Sequence, residues 1–347
     1  MKKAYLIIFS LILILVAGVG ITYLIEPSIV NTWFGIAEEE TIQPDEDNPS
    51  EDTGETEEPE EPSEDTGETD EPGKITYVCN VSDYEFYENK IVRYFGNDAY
   101  VELPSSYSID DEGNFIEGDD YQVTVIGENI FNYSETLKSV ILPTTIVELE
   151  NNAFDTCFNL ESVILNEGLE TIGSRAFLNC DSLLELYIPS SVTSIGEVVI
   201  GSGLSLETIV VSLDNSVYDS RENCNAIIET ATNTLVVACS NTTIPSTVTA
   251  IDGAYYTLEM TSLVLPENVI ELSSTAFLGS TIHNLIISNE TQIVDFYDAY
   301  LNSLIDYVYV PETMYQSYID YFTTNYGSNI YGVNVTDLIL SNVEMGI

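Results

Sequence analysis

Few side chains in this sequence could carry chemistry, and those present are poorly grouped. His283 is the only histidine. It excludes any zinc site or relay that needs two imidazoles. It follows Ile282 in a strand approach and reads as a surface residue. The five cysteines are Cys79, Cys157, Cys180, Cys224 and Cys239, and no CxxC pair or glycine-rich phosphate loop occurs. The stretch DDEGNFIEGDD, Asp110 to Asp120, has the flavour of a calcium loop. Its Gly113 is misplaced for an EF-hand, so it reads as a solvated loop. Carboxylate pairs are plentiful, but they follow from composition and do not indicate a two-carboxylate hydrolase. No catalytic residue, metal site or cofactor is expected, and the chain reads as a non-enzyme.

The elements that would position these residues are set by a repeat. LKSVILPTTIVELENNAFDTCFN from Leu137 aligns with LESVILNEGLETIGSRAFLNCDS from Leu160 and LLELYIPSSVTSIGEVVIGSGLS from Leu183. A fixed period of this length means one supersecondary unit stacked on copies of itself. The positions of Pro143, Asn166, Pro189, Ser212, Pro245, Pro266, Ser288 and Pro311 mark the register, with spacings of 23, 23, 23, 33, 21, 22 and 23 residues. Apolar residues recur six, three and one positions before the marks, as Leu137, Val140 and Leu142 do, while Pro245 keeps Ile244 but has Thr242 at the middle place. Spacing of two is strand spacing, because alternate side chains share a face. Strands are expected at 138–142, 161–165, 184–188, 207–211, 261–265, 283–287 and 306–310. Further apolar residues follow each mark, and Phe154, Phe177 and Phe277 fall at one position, so all three should be buried and aligned. The long gap holds an insertion whose apolar runs, Ala226–Ile228 and Leu235–Ala238, read as a β-hairpin. Cys157 and Cys180 share one repeat position. Rungs about 4.8 Å apart put them within disulfide range, while a ladder of free buried thiols is the plainer reading. Cys224 and Cys239 flank the hairpin, and a bridge between them is open.

The elements LESVIL, IPSSVTSIG, AFLNC and the hairpin VYDSRENCNAIIETATNTLVVAC resemble the BspA-like leucine-rich repeats of bacterial and protist surface proteins. The resemblance runs from about Ile91 to Phe322. Val199-Ile200 and Tyr255-Tyr256 depart from it at the Ala-Phe position, and residues 291–304 have lost the pattern. It implies a leucine-rich-repeat solenoid of short parallel strands with turns and short helical pieces. It also implies adhesion to host, matrix or neighbouring-cell proteins.

The ends and the charge set the context. Lys2 and Lys3 precede a mostly apolar run, Ala4 to Ile25, which as a helix would span about 33 Å. The lysines favour a cytoplasmic N-terminus and an external remainder; a cleaved signal peptide is the rival reading. Residues 37–72 hold 18 acidic residues and no basic one, a composition that forbids a packed core. The expected organisation is a membrane anchor or signal segment over 1–36 and an acidic linker over 37–73. An N-terminal cap follows over 74–119, then the solenoid over 120–325 with its hairpin at 213–240, and a C-terminal cap or tail over 326–347. The formal charge of −50 repels phosphate backbones and excludes nucleic acid as a partner.

Two functions fit. One is a surface-displayed module that binds an extracellular or host protein while the N-terminal helix holds the membrane. The other is a passive coat or envelope scaffold. For the first, the residues two before each mark should face outward as a contact stripe: Ile141, Ile164, Tyr187, Val210, Thr243, Val264, Ile286 and Tyr309. Strand propensity alone favours the same residue types.

Overall fold

The computed structural model describes residues 75–201, 205–296, 299–330 and 333–345. The apolar N-terminal run and the acidic linker lie outside them. Among the described residues no helix is long and apolar enough to cross a membrane.

The repeat builds a parallel-strand solenoid of about eight turns. Its outer ladder starts with β1 (Tyr100–Glu102), β2 (Ser139–Ile141) and β3 (Ser162–Ile164), continues with β4 (Glu185–Ile188) and β5 (Thr208–Val211), and resumes after the hairpin. The hairpin is β6 (Ala226–Glu229) and β7 (Thr234–Ala238). The last rungs are β8 (Glu259–Leu265), β9 (Thr281–Ile287) and β10 (Leu304–Val310), followed by helix α1 (Tyr315–Tyr326) and β11 (Ile339–Ser341). Each expected strand is present, and the last three begin two residues earlier than the sequence pattern suggests. The ladder is not continuous: β1–β2–β3, β4–β5 and β8–β9–β10–β11 are separate sheets. Between β3 and β4 one long bond remains, from Leu184 N to Glu161 O at 3.4 Å.

A second ladder carries the stacking across the first of these breaks. It runs through Lys90–Tyr94, Val125–Ile126, Glu148–Leu149, Thr171–Ile172 and Ser194–Ile195. There the phenol of Tyr218 accepts the next bond, from Ile195 N at 3.1 Å. At the far end the hydroxyls of Tyr318 and Tyr321, both on α1, accept from Val294 N and Phe296 N. Tyrosine side chains thus satisfy backbone donors where no further strand arrives, which a buried N–H requires. Residues 291–304 still supply a rung despite their lost pattern: Asp295 bridges Glu271, and Val294 and Phe296 are fully buried.

Rungs this close leave no room for Cβ atoms at one recurring place. A Cβ on Gly173 would lie 2.6 Å from Asn151 N, and one on Gly196 would lie 2.3 Å from Ser174 N. A turn position also recurs in the left-handed region, at Asn129, Asn152, Arg175 and Val198. Asparagine suits it; β-branched Val198, at φ 52°, holds strain of about 1–3 kcal/mol.

The core follows the sequence register. Leu137, Val140, Ile146 and Leu149 are fully buried, each worth about 1.5–3 kcal/mol of transfer free energy. Phe131, Phe154 and Phe177 stack face to face, with centroids 5.1 and 5.6 Å apart. Phe277 is buried too but does not join this stack. It belongs to a second cluster, beside Tyr255 at 6.0 Å. The hairpin causes the division. Ile227 and Val237, paired across it, face the N-terminal cluster. Ala226, Ile228, Leu235 and Ala238 face the C-terminal one. An element expected as an insertion is therefore an interior partition, buried on both faces because it takes the place of a rung.

Candidate binding face

The outer ladder presents the residues named from the sequence, but not as one file. Ile141 pairs with Ile164, and Tyr187 with Val210, all four half-buried. Val264, Ile286 and Tyr309 occupy one line across β8, β9 and β10, which Leu340 of β11 extends. Two positions depart from the expectation. Thr243 is exposed but lies outside any strand, because the hairpin occupies its rung. Ile286 is only 7% exposed although it is not part of the core cluster. It lies in register between Val264 and Tyr309 on the neighbouring strands.

The C-terminal sheet is the broadest outer surface, with three seven-residue strands in register. Val264 is 51% exposed, Leu304 65% and Tyr307 44%. The rings of Tyr307 and Tyr309 lie 6.3 Å apart. Leu304 and Tyr307 were missed in the sequence, where a signal existed. Four positions before the mark the other regular rungs carry Ser139, Ser162, Glu185, Thr208, Ser262 and Asn284; seven before it they carry Thr136, Asn159, Ser182, Ser205, Glu259 and Thr281. Only the last rung is apolar at both.

The electrostatics are one-sided. After Arg221 the sequence contains no lysine or arginine. Among the described residues, four of the five Lys and Arg side chains are spent in ion pairs: Lys90–Glu150 at 2.6 Å, Lys138–Glu161 at 3.0 Å, Arg93–Glu85 and the forked Arg221–Asp219 contact. Burial raises the carboxyl pKa of Glu185, and the neighbouring Glu207 charge adds to it. His283 Nδ1 donates to Asp306 Oδ2, 2.6 Å away, and that hydrogen bond raises its pKa.

The remaining reactive residues are structural. All five cysteines are free. Cys157 Sγ donates to Phe131 O and Cys180 Sγ to Phe154 O, one rung apart, so the pair forms a buried ladder. Burial pushes Cys157 up to about 12 and Cys224 to about 11. Asp110 sits in the turn of a hairpin, its carboxylate accepting from Glu112 N, Asn114 N and Asn114 Nδ2. Those donors hold the loop. Tyr218 is buried.

A family model of the BspA type leucine rich repeat region fits the chain in six copies, over residues 116–227 and 234–341. The chain belongs to the BspA-type leucine-rich-repeat family. Repeat proteins of this bacterial surface type are, in general, protein-interaction modules. Among solved structures, a leucine-rich repeat protein from Bacteroides capillosus is 28% identical over 38% of this chain and 96% of its own, at a TM-score of 0.32. One from Eubacterium ventriosum is 18% identical over 62% and 67%, at 0.40. The pneumococcal vaccine antigen PcpA is 18% identical over 65% and 67%, at 0.32. No curated protein matches. The assignment to the BspA type rests on the repeat region.

Proposed function

We propose that this protein is a cell-surface-displayed module that binds an extracellular protein, without catalysis, through the outer face of its C-terminal sheet. The observation that carries this is the pairing of exposed apolar side chains with a surplus of acid. Val264, Leu304 and Tyr307 stand among Glu259, Asp306 and Asp337 on a half-chain with no Lys or Arg. Large exposed apolar groups on a regular sheet mark contact surfaces. The acidic surround favours a basic partner and speeds its approach. The N-terminal apolar run, following Lys2 and Lys3, supports tethering at a membrane, and the acidic residues 37–72 support a spacer that lifts the solenoid away from it. The test is capture of extracellular and matrix proteins by immobilised residues 75–347. Saturable binding that weakens as salt rises is expected. Binding of nothing saturable, together with damaged envelopes in cells lacking the protein, would favour the scaffold role instead.

A further inference from the structure

The last rung of the solenoid has an edge that its cap leaves open. On one side β10 pairs with β9 from Thr281↔Leu304 to Ile286↔Tyr309. On the other, β11 pairs only with Val308, Tyr309 and Val310. The chain ahead of β11 turns into a one-turn helix, Val335–Leu338, and leaves the strand edge. Among the described residues no strand lies against Leu304–Tyr307 on that side. This stretch lines a groove of about 840 Å³, together with Ile330, Val333 and Leu338. An open edge presents backbone donors and acceptors to any extended chain.

The side chains around this edge differ from those of every other rung. Leu304 and Tyr307 are apolar where the six other regular rungs are polar, and both are well exposed. Asp306 and Asp337 also line the groove. No Lys or Arg follows Arg221 in the sequence to offset them, and the one basic side chain beside them, His283 on Asp306, carries charge only when protonated.

We propose that Leu304–Tyr307 is a docking edge for an extended segment of a partner protein. That segment joins the sheet as an added strand and carries Lys or Arg alternating with apolar residues. Backbone bonds to the edge supply affinity, Leu304 and Tyr307 receive the apolar side chains, and Asp306 and Asp337 receive the basic ones. The chain's own residues 37–72 are poor occupants, because their 18 acidic side chains would meet the same carboxylates. A second copy is disfavoured by a formal charge of −50 on each chain.

The proposal rests on the protein-binding reading, and its test can fail separately. The probe is a fluorescent, acetylated Lys-Val-Lys-Val-Lys-Val amide, compared with the same peptide N-methylated at alternate amides. The methyl groups block strand addition and keep every charge. Residues 75–347, which contain both core clusters, are titrated with each peptide. The parent should bind at least about ten-fold tighter than the methylated form, and Leu304→Ala with Tyr307→Ala should erase most of that difference. Equal binding of the two peptides would reduce the effect to charge attraction and overturn the proposal. Dimers that the double variant abolishes would also overturn it, by making a second copy the occupant. Partner capture that persists in the double variant, with no preference between the peptides, would sink the edge while leaving the binding module intact.

Discussion

Replacing Phe154 by alanine should destabilise the solenoid more than the same change at Phe177. Phe154 is fully buried between two rings, Phe131 at 5.1 Å and 4° and Phe177 at 5.6 Å and 6°. Phe177 stacks on Phe154 alone and pairs with Ile200 on its other side. Truncating a buried phenylalanine costs about 3–5 kcal/mol through lost transfer energy and the cavity left behind. Each aromatic pair adds about 0.5–1.5 kcal/mol. Phe154→Ala loses two pairs and Phe177→Ala one, so both fall in that range with Phe154→Ala larger by about 0.5–1.5 kcal/mol. Urea unfolding followed by circular dichroism gives each value from the midpoint and slope. The double variant should cost less than the sum of the singles by about the energy of one pair. A loss under about 1 kcal/mol at Phe154, or strict additivity, would refute a stacked core running through the rungs.

The remaining predictions test other parts of the account. Replacing Ala226–Ala238 by a short Gly-Ser loop should abolish cooperative unfolding, since both core clusters lose a wall; a peripheral insertion would be dispensable. A thiol reagent should find one accessible cysteine in the native protein, Cys79, and five after denaturation, because burial covers the other four; fewer than five would reveal a bridge. His283 should titrate above its ordinary value of about 6.5, owing to Asp306, and Asp306→Asn should bring it back. Because the folded pKa is the raised one, its stabilising contribution is complete below about 6.5 and disappears as pH climbs through the raised value. Gly173→Ala should destabilise the rung contact, as its Cβ would meet the backbone of Glu150 and Asn151; unchanged stability would mean the rungs can separate.

The regular rungs were legible because each makes the same contacts. Leu137, Val140 and Leu142 must face one way, and their counterparts repeat that choice at a fixed distance. Legibility failed where a rung is built differently. The hairpin reads as an insertion because its spacing breaks the period. Yet the alternation of Ile227 with Ile228, both apolar, was a sign that both faces are buried. Residues 291–304 lost the pattern since tyrosines of α1, not another repeat, complete their hydrogen bonds. Of the stripe, Val264, Ile286 and Tyr309 share one line across three strands, but the burial of Ile286 is not visible in the spacing of its own strand. Leu304 and Tyr307 went unnoticed because only comparison of all rungs shows them out of place.

The central claim is that the C-terminal sheet presents the binding face. Its most direct test measures capture of extracellular protein by residues 75–347 carrying Val264→Lys and Tyr309→Lys, which lie two rungs apart on that face. A lysine in the contact must be desolvated and opposes a basic partner. Capture should fall by about ten-fold or more, circular dichroism should stay unchanged, and Ile164→Asp with Tyr187→Asp on the distant rungs should matter less. Undiminished capture by a folded Val264→Lys, Tyr309→Lys variant would contradict the account.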